Sequence, residues 1–151
     1  MSYSDNISFM LLHIAATISK QNDVLLQNKL RIGFSQFKIL MVLQWKPNIK
    51  QKQIASKLNQ TEASISRQIN IMFEDGLLQT TRSSEDRRQH ITMLTVRGER
   101  ICNQATKLLI AHSEAIFNQL SNNEKESLQR NLKSINNFLL PDLNGEITSN
   151  E

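Results

Sequence analysis

The chain is poor in the residues that staple small folds or cradle cofactors. Its 151 residues hold one cysteine, two prolines and four glycines. A single cysteine, Cys102, excludes an internal disulfide and any multi-cysteine zinc module. With so few glycines there is no glycine-rich phosphate loop. His13, His90 and His112 are too scattered for a local metal-ligand spacing, so core or pocket-lining positions are their default. No run approaches the roughly 20 apolar residues that cross a bilayer. The N-terminus, MSYSDNISFM, has neither a basic flank nor an unbroken apolar stretch, so no signal peptide is expected. These absences lead us to expect a soluble, cytoplasmic protein with no cofactor, no metal and no membrane partner.

What is present is mild in charge and helical in pattern. Eighteen Lys and Arg against fourteen Asp and Glu give a net charge of +4, which permits a nucleic-acid partner without requiring one. The hydrophobic share, 39%, is slightly low for one domain of this size, as expected if a second copy of the chain completes the core. From Asp5 to about Leu30, Ile7, Met10, Leu11, Ile14, Ile18 and Leu25 recur at helical steps, with Ser4 or Asp5 as cap. Gly33 is expected to break this helix. Ser35 is placed to cap a second helix carrying Phe37, Leu40, Met41 and Leu43, stopped at Pro47.

Between Lys50 and Gly98 the pattern tightens. Ile54, Ala55 and Leu58 form the stripe of a short helix that Asn59 and Gln60 interrupt, and Thr61 can cap the next. That helix, Glu62 to about Asp75, aligns Ile65, Ile69, Met72 and Phe73 on one side. Ala63, Arg67 and Asn70 lie opposite, with Ser64 on the flank. A helix that must enter a major groove needs such a small, polar outer face with a guanidinium, whereas a merely solvated helix usually carries paired Glu and Lys. Gly76 is suited to end it. Leu77 to Arg82 and Gln89 to Thr95 read as two strands joined by Ser83-Ser84-Glu85-Asp86 turn chemistry. Arg82, Arg87 and Arg88 sit at the tip.

Thr95 can cap a fifth helix of about 25 residues, some 37 Å long, with Ile101, Ala105, Leu108, Leu109, His112, Ile116 and Leu120 as its stripe. Cys102 lies beside that stripe and reads as a small packing residue. Ser121-x-x-Glu124 is a capping box opening a sixth helix striped by Leu128, Leu132, Ile135 and Leu139, which Pro141 ends. Long amphipathic helices at both chain ends need a cover, and a two-fold homodimer is the simple one.

Helix, turn, helix, then a hairpin with Asp86-x-Arg88 and Leu94-Thr95-x-x-Gly98 resembles the winged helix-turn-helix of the MarR family of transcription regulators. Ser35-Gln36-Phe37 with Leu40 is similar to the family's second helix, so the resemblance covers nearly the whole chain. It implies a mainly α fold with a small β-hairpin wing, in which a winged helix-turn-helix core is flanked by long dimerisation helices. Residues 1–33 and 99–140 would dimerise, 34–98 would bind DNA, and 141–151 would form a flexible tail. It also implies a repressor that occupies a pseudo-palindromic promoter site and is released by a small-molecule effector.

Carried over from the family, Arg88 would enter a minor groove, where a narrow A·T-rich groove favours a guanidinium, and Asp86 would orient the wing by pairing with an arginine. Asp86 also suits a turn on its own account. Arg82 and Arg87 read as phosphate contacts, as can Lys50, Lys52 and Gln53. Ser64 and Ser66 can bond bases or phosphates, though serine is common on any exposed helix; Glu62 stays open. A family-type effector pocket would draw on His13, Phe37, Met41, Trp45 and Arg100. Some members of the family sense oxidants through a cysteine in the first helix, and this sequence has none there.

Two other classes compete. Ser84, Asp86 and His90 invite comparison with a catalytic triad, but on a hairpin tip nothing excludes water, so no enzyme is expected. A helical protein-interaction module that never touches DNA accounts for the long helices and leaves the basic hairpin without a purpose.

Overall fold

A computed structural model describes residues 6–82 and 90–139. The order is α1 (Ile7–Leu30), α2 (Phe34–Trp45), α3 (Gln51–Leu58), α4 (Glu62–Glu74), β1 (Leu78–Arg82), β2 (His90–Leu94), α5 (Val96–Phe117) and α6 (Asn122–Leu139). It is a mainly α fold with one two-stranded antiparallel hairpin, as the sequence pattern and the family resemblance lead one to expect.

The first helix boundaries differ from expectation. Ser4 and Asp5 lie outside the described residues, and α1 is capped by Asn6, whose Oδ1 accepts from the N–H groups of Ser8 (2.9 Å) and Phe9 (3.3 Å). The helix runs to Leu30 as expected, but the residue that closes it is Arg31 rather than Gly33, a non-glycine residue in the left-handed region with φ 60°. Nor does Ser35 cap α2. Gly33 is the N-cap, and having no side chain it leaves capping to others. Gln36 Oε1 accepts from the Gly33 N–H at 2.8 Å, and Asp23 Oδ1, reaching over from α1, accepts from the Phe34 N–H at 2.8 Å. Two donors orphaned at a helix start are thus satisfied from within the helix and from its neighbour.

The described residues form two compact units that divide between Ile110 and Ala111. In the first, one core takes Leu26 from α1, Ile39, Leu40 and Leu43 from α2, and Ile54 and Ala55 from α3. Ile65, Ile69 and Met72 of α4, Leu77, Leu78 and Leu94 at the hairpin base, and Cys102 and Ala105 of α5 complete it. Each large aliphatic side chain fully removed from water contributes about 1.5–3 kcal/mol. Cys102 is wholly buried, and burial pushes its thiol up to about 11 even though a hydrogen bond with Thr106 works the other way. It is a protonated packing group.

The second unit is built differently. The fifth helix stops at Phe117, short of the Leu120 to which its apolar stripe extends. Ser121 then opens α6 as expected: Glu124 Oε2 accepts from the Ser121 N–H at 2.8 Å, and Ser121 Oγ accepts from the Glu124 N–H at 3.4 Å. The Ser121 bonds hold the Glu124 carboxyl below its ordinary value. Among its described residues α6 buries none.

Candidate nucleic-acid interface

The centre of the first unit is a helix pair closed by backbone geometry. Asn59 ends α3 in the left-handed region, φ 51°. Its N–H donates to Ser56 O at 3.2 Å, and the Gln60 N–H donates to Ala55 O at 2.9 Å. This double bond pattern satisfies the last carbonyls of a helix, and asparagine tolerates the conformation better than other side-chain-bearing residues. One residue later Thr61 Oγ1 accepts from the Ser64 N–H at 3.2 Å and caps α4. A helix end and a helix start are therefore fixed within three residues.

The sequence assigns α4 two faces, and the structure places them as expected. Ile65, Ile69 and Met72 are fully buried, while Ala63, Arg67 and Asn70 are exposed and Ser64 and Ser66 half-buried. Glu62 stands exposed in the first turn and Ile71 is partly exposed farther along. The helix ends at Glu74, with Gly76 (φ 67°) providing the same double bond pattern: Gly76 N–H to Phe73 O at 3.0 Å and Leu77 N–H to Met72 O at 2.9 Å.

The hairpin is bolted to this end of α4. Its register pairs Leu78 with Leu94, Thr80 with Thr92 and Arg82 with His90, which buries Leu78 and Leu94 at the base. The Thr95 hydroxyl donates to Gly76 O at 2.7 Å and accepts from the Gly98 N–H at 3.0 Å, and the Thr95 N–H donates to Leu77 O at 3.0 Å. A Cβ on Gly98 would lie 2.1 Å from Leu77 O. The Leu94-Thr95-x-x-Gly98 spacing thus has a mechanical cause. Threonine clamps the turn after α4 while capping α5, and only glycine lets α5 start this close to the backbone.

Arg82 closes β1 at the distal end of the hairpin; Asp86, Arg87 and Arg88 lie outside the described residues. Lys50, Lys52 and Gln53 are exposed at the start of α3, where Gln53 Oε1 accepts from the Lys50 N–H at 3.1 Å. Of the residues assigned to an effector pocket, Phe37 is buried and ring-stacked with Phe34 at 6.1 Å. Met41 is half-buried, its sulfur 3.5 Å from Thr106 Oγ1. His13 and Arg100 are exposed on α1 and α5, and Trp45 is 80% exposed at the end of α2. Among the described residues no group of three His, Cys, Asp or Glu could hold a metal, and no helix is long and apolar enough to cross a membrane. Sequence reasoning passed over Gln60 as a functional residue; its only signal is its place one residue before a cap.

Comparison with known proteins agrees with this architecture. The MarR family model matches residues 34–90, from the start of α2 to the first residue of β2. A curated relative, the HTH-type transcriptional regulator BilQ of Clostridium symbiosum (strain WAL-14163), is 26% identical over 83 residues; the match covers 55% of this chain and 58% of BilQ, less than two thirds of its length. Among solved structures, the transcriptional repressor CouR bound to a 23-mer DNA duplex superposes with a TM-score of 0.77 at 24% identity, over 89% of this chain and 97% of CouR. CouR from Rhodococcus jostii RHA1 bound to p-coumaroyl-CoA gives 0.76 at 19% identity, over 89% and 94%. Residues 34–90, the helix-turn-helix with the first wing strand, are thus similar to the MarR family, and most of the chain shares the winged-helix fold of solved regulators of that family.

Proposed function

We propose that this protein regulates transcription by binding double-stranded DNA sequence-specifically as a homodimer, and that it represses by occupying a pseudo-palindromic promoter site. The observation that carries this reading is the two-faced α4. Its inner side is locked at zero exposure by Ile65, Ile69 and Met72, while Ala63, Arg67 and Asn70 are presented to solvent from a helix fixed at both ends. A rigid helix with a small polar outer face suits the major groove. In this reading Arg67 and Asn70 meet base edges, Ala63 allows close approach, and Ser64 and Ser66 bond bases or phosphates. Arg88 enters the minor groove with Asp86 orienting the wing, and Arg82 and Arg87 contact phosphates. The exposed lysines of α3 add phosphate contacts.

Dimerisation is supported by apolar side chains left without cover in each unit. In α1, Ile7 is 71% and Leu12 67% exposed. In α6, Leu132, Ile135 and Leu139 line an open cleft of about 460 Å³. Contiguous apolar surface of this kind marks an interaction site, and a second copy covers it without any further partner. Residues 1–33 and 99–140 would then serve dimerisation, 34–98 DNA binding, and 141–151 would be a tail. CouR, seen with DNA in one structure and with p-coumaroyl-CoA in another, supports a small-molecule effector. Its site would draw on His13, Phe37, Met41, Trp45 and Arg100. No catalytic role is proposed.

The test is footprinting of the full chain on DNA upstream of its own gene. The expected result is two protected patches about 10–10.5 bp apart, centre to centre, or a multiple of that spacing. The affinity should fall steeply with salt. Binding that is indifferent to salt and to sequence would leave a protein-interaction module as the better account.

A further inference from the structure

We infer that Gln60 is a base-reading residue, held in place by Ser64, that extends the reading surface of α4 by one residue beyond its cap. This rests on the proposal that α4 enters a major groove. Gln60 precedes the Thr61 cap and is fixed at two points. Its backbone N–H donates to Ala55 O at 2.9 Å, and its side-chain Oε1 accepts from Ser64 Oγ at 3.5 Å. Ser64 is in turn anchored by its own N–H, which donates to Thr61 Oγ1.

The amide is therefore folded back toward the side of α4 that carries residues 64, 67 and 71, spaced at three- and four-residue steps. That side contains Arg67, and Ile71 on it is 39% exposed. The chemistry follows from which end of the amide is engaged. Ser64 engages the carbonyl oxygen at 3.5 Å, and the residue is half-buried. The NH₂ group is then the end of the amide left to donate, and an amide held by a hydroxyl loses less freedom on binding than a loose one. A donor so placed selects an acceptor on the major-groove edge, the N7 or O6 of guanine, the N7 of adenine or the O4 of thymine, and disfavours the cytosine amino group.

Gln60 is thereby assigned contact with a base at the end of the half-site read by the start of α4. Ser64 acts on that base as a positioning residue in addition to any contact of its own. Glu62, exposed one residue past the cap, supplies no donor and cannot replace Gln60 there.

The experiment selects binding duplexes from a randomised 24-bp pool with the full-length wild-type protein. Affinities are then measured on the selected duplex and on every single-base-pair variant, for wild type, Gln60→Ala, Gln60→Glu and Ser64→Ala. Gln60→Ala is expected to flatten discrimination at one base pair per half-site by about tenfold and to leave the others unchanged. Gln60→Glu keeps an oxygen for Ser64 but turns the outward group into an acceptor, so at that same pair the preference should swing to cytosine. Ser64→Ala should weaken discrimination at the Gln60 pair by a smaller factor, with no additional effect there in Gln60→Ala, a coupling that general loss of structure does not produce. Equal losses on all duplexes would make Gln60 a phosphate contact and overturn the proposal. Unchanged profiles in both Gln60 variants would overturn it while leaving the groove assignment of α4 standing. A wild-type protein that enriches no sequence from the pool would overturn both.

Discussion

Helices α4 and α6 are both amphipathic, yet they stand in opposite relation to the core. The inner residues of α4 are wholly buried and its ends are fixed by Thr61 and Gly76. Helix α6 has a well-formed capping box at Ser121 and no buried residue at all. The difference separates two uses of the same periodicity. In α4 the apolar side is already satisfied within the chain, so the polar side is the one available for function. In α6 the apolar side is itself unsatisfied, and the proposed dimer is what would cover it. An amphipathic pattern alone does not say which case applies; burial does.

Four changes would break or sharpen this contrast. The largest effect is expected from Gly98→Val. Any Cβ there meets the Leu77 carbonyl oxygen at 2.1 Å and its carbon at 3.1 Å; these are backbone atoms with little room to relax, so a loss on the order of 3 kcal/mol or more is expected. Urea denaturation checks it, and an unchanged midpoint would show that α5 can shift away from the hairpin base.

Next comes a matched pair. Ile69→Ala in α4 should cost about 2–4 kcal/mol of folding stability by leaving a cavity. Ile135→Ala in α6, where Ile135 is 44% exposed, should weaken self-association measured by equilibrium sedimentation. Its own unit should stay folded by circular dichroism. Equal folding losses in the two would erase the distinction drawn between these helices.

The third effect concerns the wing. Arg88→Ala should cost more affinity than Arg87→Ala and should abolish preference for A·T-rich flanks, because a guanidinium in a narrow groove feels the potential of both strands. Arg87→Ala should mainly lower the salt slope by about one unit per phosphate contact in each subunit. Titrations at several salt concentrations on both kinds of flank separate them.

The smallest effect is that of Cys102. Its thiol titrates near 9.0 when unperturbed and is pushed up to about 11 by burial. Below pH 9 both folded and unfolded chains keep the proton, and the thiol then imposes no penalty. Between pH 9 and 11 the unfolded chain ionises first, so this group's contribution to stability falls as pH rises through that window. Cys102→Ala should flatten the alkaline limb of the stability curve slightly. At pH 7 the native thiol should react with a thiol reagent far more slowly than the urea-unfolded chain.

Much of this arrangement could be read from the sequence, for identifiable reasons. The spacing of Ile65, Ile69 and Met72 gave the inner side of α4, because burial repeats every three or four residues. Thr61, Gly76, Thr95 and the Ser121–Glu124 pair gave helix ends, because each end needs a particular side chain or a left-handed residue. What escaped were ends satisfied in other ways. Arg31 ends α1 in the left-handed region despite its Cβ, and Gly33 starts α2 with acceptors lent by Gln36 and by Asp23 on another helix. A tertiary contact such as Asp23 to Phe34 leaves no local trace. Gln60 escaped for a related reason: its sequence position marks a break between helices, and only the bond to Ser64 shows the side chain turned along α4.

The central claim, that α4 reads base sequence, is tested most directly by Arg67→Ala on selected and scrambled duplexes, beside the wild type at one salt concentration. The exposed guanidinium stands on the outer side of a helix whose inner side is fixed. Its loss should therefore remove about 1–3 kcal/mol of discrimination per half-site and weaken the selected duplex far more than the scrambled one. Weakening of both by the same factor would make Arg67 a phosphate contact and contradict the placement of α4 in the major groove.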